Sequence, residues 1–148
     1  MGNEKLTRLM QRLTVLPAAM NRYGFELMNR SDVQQVMKDA NTDQLHSGLR
    51  SDGSTITPPY KPYTVKKKQE KGDPYDRVTL RDEGNYYEGF RVRVSPTRAE
   101  MYNVDEKSEK LKEKYGVLIE GLAPFAINRV REFLRPLFVA QARKFLVP

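Results

Sequence analysis

The chain has 148 residues, 26 basic and 19 acidic side chains, a formal charge of +7, and no cysteine. Its length fits one domain, and the missing cysteine excludes a disulfide framework, thiolate catalysis and every Cys-based zinc site. With 39% hydrophobic residues and a mean hydropathy of −0.70 the composition is lean, which implies solvated helices, extended segments or surface buried only in an assembly.

Leu6, Leu9, Met10, Leu13 and Leu16 recur at helical spacing with Arg8, Gln11 and Arg12 on the other side. The pattern predicts an amphipathic helix limited by Pro17. Glu4, Lys5, Arg8 and Arg12 interrupt the leucines, so this is not the apolar core of a signal peptide, and no segment approaches the ~20 apolar residues of a membrane span. Synthesis and use in the cytosol, away from membranes, are expected. Residues 18–29 read as a second helix weakened by Gly24. Ser31 is the expected N-cap of a third, with Asp32 in its first turn and Val33, Val36, Met37, Ala40 and Leu45 as its apolar positions, ending near Gly48.

From Ser51 to Asp76 the texture changes: Asp52-Gly53 signals a turn, and Pro58, Pro59, Pro62 and Pro74 exclude long regular structure. This stretch reads as an extended arm with one or two helical turns over residues 64–71, and a loop of that length is ordinarily functional or ordered by a partner. Residues 80–87 suggest a short helical turn. Phe90, Val92 and Val94 alternate with Arg91 and Arg93, the period of a strand with one buried face, and Ser95-Pro96-Thr97 turns it into a return strand over 99–104. A two-stranded hairpin is marginal alone and must pack on helices or join a neighbouring sheet. A charged helix follows over 105–115, capped by Gly116. The last helix carries Ile127, Val130, Phe133, Leu134, Leu137 and Phe138, is expected to kink or restart at Pro136, and is assigned to the core.

The pattern is α+β: a small antiparallel hairpin packed with several helices, a long proline-containing arm and a C-terminal helix. It is read as one domain over 1–148, with a helical part at 1–50, the arm at 51–76, and the hairpin and last helices at 77–148.

Candidates for chemistry are few. His46 is the only histidine, so no His pair or Cys–His nucleophile exists. Asp73, Asp76, Asp82 and Glu83 alternate with Arg77 and Arg81, which favours salt bridging over a carboxylate dyad. The acids of 105–115 interleave with lysines as helix-surface pairs. No glycine pattern matches a phosphate cradle. No catalytic residue, metal ligand or cofactor is expected, and the chain reads as a non-enzyme. What remains is basic and aromatic. Lys66, Lys67 and Lys68 beside Tyr60 and Tyr63, together with Arg91 and Arg93, could grip phosphates, line a protein interface, or form an ordinary solvated face.

Several short motifs carry a resemblance. Gln44-Leu45-His46-Ser47-Gly48 followed by Ser51-Asp52-Gly53, then Thr79-Leu80-Arg81-Asp82-Glu83-Gly84 before the hairpin, resembles the tail-completion and head–tail connector proteins of tailed bacteriophages. Glu83 stands where that family has Thr or Ser. Lys114-Tyr115-Gly116, Gly121-Leu122 and Arg135-Pro136-Leu137 extend the likeness, the last resembling the start of the family's final helix. The likeness spans roughly residues 44–140, and residues 1–40 take no part in it. It implies a structural virion subunit, assembled in the host cytoplasm as a ring of its own copies, contacting other neck, portal or tail proteins and making sequence-independent contact with packaged DNA. A small basic nucleic-acid-binding module is the alternative expectation.

Overall fold

A computed structural model describes residues 2–147. The leucine spacing of the first helix continues past Pro17, and a single helix, α1 (Gly2–Met28), runs through it. A proline inside a helix removes one hydrogen bond and crowds the carbonyl four residues back, at a cost of about 3 kcal/mol. The expected break does not occur because α1 is held on both sides of Pro17 by the last helix, α6 (Pro124–Leu146). Before the proline, the Arg12 guanidinium donates to the Phe145 carbonyl at 3.3 Å. After it, the Tyr23 and Phe138 rings meet edge-on at 5.6 Å, and a methyl on Gly24 would press within 3.3 Å of Phe138. The two helices are therefore antiparallel, and packing overrides local propensity.

α2 (Ser31–His46) starts one residue earlier than its expected cap allows. Arg30, in extended backbone, holds the cap position, and Ser31 is already helical. Asp32 replaces the serine as acceptor, taking the Val33 N–H at 2.9 Å while Arg30 holds its carboxylate through bonds of 2.8 and 3.0 Å. Val33, Met37, Ala40, Gln44 and Leu45 line its buried side.

The stretch 51–76 is not a free arm. Its prolines do exclude regular structure up to Lys61, yet Ile56 is fully buried and its N–H bonds the Gly48 carbonyl at 2.9 Å. α3 (Pro62–Lys71) follows, with proline in its first turn and Gly72 closing it at φ 74°. Ile56 before the prolines and the partly buried Tyr60 among them tie down what composition alone describes as extended.

A one-turn helix, α4 (Asn85–Glu88), leads into β1 (Phe90–Val94), which pairs antiparallel with β2 (Ala99–Asn103) from Phe90 opposite Asn103 to Val94 opposite Ala99. The sheet has only these two strands. α5 (Ser108–Tyr115) ends at Gly116, a short 3-10 turn spans Val117–Ile119, and α6 completes the described chain.

The core has two connected parts. Phe90 centres the larger, with Leu45, Ile56, Val78, Leu80, Tyr86, Tyr115 and Ile119 around it. Met37, Ala40, Ala126 and Val130 form the smaller, and Met101 packs on both. The C-terminal helix is thus less of a core element than expected: only Ala126 and Val130 are buried, and it continues through Pro136. Ala126 and Val130 lie on α2 residues Met37 and Ala40, while Phe138 and the Phe145 carbonyl meet α1. Arg135-Pro136-Leu137 therefore sits within the last helix, not at its start.

Candidate assembly surface

Helical periodicity sorts the three lysines of α3. Thr64, Val65 and Lys68 fall on its inner side, while Lys66 and Lys67 point to solvent. Lys68 is only 8% exposed; its ammonium donates to the Arg81 carbonyl at 2.7 Å and lies 5.0 Å from the centre of the Tyr60 ring. It is a structural tie between α3 and the 79–84 turn, and its ammonium points inward, unlike those of Lys66 and Lys67. Tyr60 belongs to the same tie, its hydroxyl accepting the Thr79 N–H at 3.0 Å. Tyr63, by contrast, is 78% exposed.

Between α3, the 80–86 turn and α5 lies an open cleft of about 340 Å³. Leu80, Leu111 and Tyr115 supply apolar lining, and Lys67, Lys71 and Lys107 stand among Asp73, Asp82 and Glu83. Lys71 and Asp82 pair at 3.5 Å, and with Lys68 and Arg81 also in the lining the cleft holds more basic than acidic side chains. Tyr86, stacked edge-on against Phe90 at 5.1 Å, carries a buried hydroxyl without a partner among the described residues. Burial, with Glu120 and Asp105 nearby, pushes its pKa well above the ordinary phenol value. Burial does the same for Tyr87, whose hydroxyl donates to the Thr79 carbonyl. Among the described residues no group of three or more His, Asp or Glu is placed to hold a metal ion, and no helix is long and apolar enough to cross a membrane.

On the hairpin, strand alternation puts Arg91 and Arg93 on one exposed face, as expected. Arg91 donates to the carbonyls of Glu88 at 2.7 Å and Phe90 at 2.8 Å. Arg93 lies 4.7 Å from the centre of the Tyr102 ring, a cation–π contact between diagonal neighbours. Glu100, directly opposite Arg93, pairs with Arg98 instead, at 2.9 Å. The structure does not bring these arginines to Lys66 and Lys67, which belong to a different element.

The hairpin backbone carries a feature that side-chain patterning did not reveal. Val104 N–H bonds Gly89 O at 3.0 Å and Ser95 N–H bonds Arg98 O at 2.8 Å, which sets the alternation of the ladder. The N–H and C=O groups of Val92 and Val94 consequently point away from β2, and those of Ala99 and Met101 away from β1. Among the described residues no third strand covers either edge. The lysine run drew attention toward α3; the signal for these edges was the count of strands, two and no more.

A second uncovered surface lies on α1. Leu6, Leu9, Met10 and Leu13 are between 39% and 61% exposed. No protein-family model, no curated protein and no solved structure matches this chain.

Proposed function

We propose that this chain is a structural subunit of a tailed-phage virion, forming a ring at the head–tail junction and working through protein–protein contact, not catalysis. The observation that carries the reading is the hairpin: two strands with both edges unpaired, backed on one side by α2 and presenting Arg91, Arg93 and Tyr102 on the other. An open strand edge is a ready pairing surface for a neighbouring copy, and arginine and tyrosine are favoured at protein interfaces. The likeness of residues 44–140 to phage neck proteins supplies the class of assembly. The nucleic-acid module is the weaker reading, because the inward turn of Lys68 leaves four of its five proposed cations exposed, two on α3 and two on β1.

Quantitative mass spectrometry of virions from a phage encoding the chain tests the reading. A low, fixed copy number per particle is expected, and absence from the particle overturns it. Val92→Pro and Val94→Pro, which block one edge without removing a ladder bond, should prevent incorporation while leaving the monomer folded.

A further inference from the structure

We infer that the first three turns of α1 form the empty half of a two-helix seam, and that its occupant is a helix of another protein with an apolar stripe bordered by acidic residues. Leu6, Leu9, Leu13, Leu16, Met20, Tyr23 and Leu27 follow one another at intervals of three and four without a break. That is the a/d pattern of a helix-pairing seam, with Met10 beside it in the open half.

The far half of the seam is filled. Leu27 is buried, and Tyr23 and Gly24 meet Phe138 of α6. The near half is not: Leu6, Leu9 and Leu13 are 56%, 39% and 48% exposed. The boundary is the Arg12 bond to Phe145, one residue before α6 ends at Leu146. Residues 2–11 precede that contact and span about 15 Å along the helix at 1.5 Å per residue. Their stripe has the same geometry as the stripe that already receives a helix.

Charge selects the occupant. Lys5, Arg8 and Arg12 line one border of the open half, where charged positions set partner choice in paired helices. Neither Lys5 nor Arg8 has an acidic partner among the described residues. The excess extends over both helices. α1 holds four basic residues against Glu4 and Glu26, and α6 holds five against Glu132, a surplus of six within the formal +7. A second copy laid antiparallel along the same stripe would set Lys5 and Arg12 against their own like, so acidic borders on a different chain are the complement. The leucines argue against nucleic acid as the occupant, since a phosphate backbone has no use for an apolar seam. This surface is separate from the hairpin, and the inference stands whether or not the chain belongs to a ring.

The test is fluorescence anisotropy of the full chain with two labelled synthetic helical peptides of about three heptads, both with leucine at a and d. One carries glutamate at the flanking positions and the other lysine. The glutamate peptide should bind at least about tenfold more tightly, with the margin shrinking between roughly 50 and 500 mM salt. Leu6→Gln with Leu9→Gln keeps good helix formers at exposed positions. This pair should weaken the glutamate peptide at least about tenfold with an unchanged circular dichroism spectrum, and Lys5→Glu with Arg8→Glu should reverse the peptide preference. Equal binding of both peptides, binding of neither, or indifference to the leucine substitutions overturns the inference. So does concentration-dependent self-association in sedimentation that the leucine substitutions abolish, which would make the occupant a second copy. Binding to duplex DNA or phosphatidylserine vesicles that outcompetes the glutamate peptide at this site also overturns it.

Discussion

Replacing Lys68 by methionine separates a structural lysine from a ligand-binding one. The substitution keeps a straight apolar stem in the space between α3 and Tyr60 and removes only the ammonium. Lost with it are the bond to the Arg81 carbonyl at 2.7 Å and the position 5.0 Å from the Tyr60 ring centre. A hydrogen bond from a charged donor contributes roughly 1.5–3 kcal/mol and a partly screened cation–π contact roughly 0.5–1. The ammonium is also relieved of its burial, which offsets part of that sum and leaves a net loss of about 2 kcal/mol. For a chain of this length each kcal/mol moves the Tm by about 2–4 °C, so a fall of about 4–8 °C is expected. Urea denaturation should show a lower midpoint with an unchanged slope. Lys66→Met and Lys67→Met, on the solvent side of the same helix, should stay within about 0.5 kcal/mol of the parent. If Lys68→Met is as stable as these two, the inward tie has no energetic weight and the reasoning is refuted.

Gln44 bridges α2 to the start of α6, its amide donating to Gly121 O at 3.1 Å and its carbonyl accepting Ala123 N–H at 2.7 Å. Gln44→Leu leaves both backbone groups without a partner and should cost about 2–4 kcal/mol, with faster hydrogen exchange at Ala123 as the local readout. Gly48 has φ 76° and a methyl there would come within 3.0 Å of the Arg77 Cβ, whereas Gly53, at φ 81°, faces open space. Gly53→Ala should lose only the roughly 1–2 kcal/mol of left-handed strain, and Gly48→Ala should unfold at a clearly lower urea concentration than Gly53→Ala. The raised pKa values of Tyr86 and Tyr87 set an alkaline limit. Above about pH 10 the unfolded chain releases these protons while the folded chain keeps them, so stability present below that pH falls as pH climbs toward the folded-state values. Difference absorbance should show a tyrosine ionisation that appears only as the circular dichroism signal collapses and is lost when Tyr86→Phe and Tyr87→Phe are combined; ionisation of Tyr86 and Tyr87 before unfolding would contradict the burial argument.

What could be read from the residues was short-range. Alternation of Phe90, Val92 and Val94 with two arginines placed β1 within a residue at either end, and Ser95-Pro96-Thr97 placed the turn. Gly116 marked a helix end because a positive-φ backbone favours glycine there. The exposed face of Arg91 and Arg93 followed from the same two-residue period. Each of these is decided by a residue and its near neighbours along the chain.

Other features depended on partners far away in sequence. Pro17 read as a helix limit and Pro136 as a kink or restart, yet one helix runs through each, since α1 and α6 hold each other in place over distances of more than a hundred residues. Lys66, Lys67 and Lys68 are one undivided run in sequence. Only the arrival of Tyr60 and the Arg81 carbonyl separates a tie from two solvent-facing cations. Pro58 and Pro59 correctly excluded regular structure up to Lys61 but carried no information on where Ile56 would be buried. The apolar stripe of α1 is continuous in sequence, and only the point where α6 stops divides it into a covered and an uncovered half. Local pattern determines which side of an element is apolar; what lies against that side depends on elements the pattern does not reach, and the tertiary structure alone decides it.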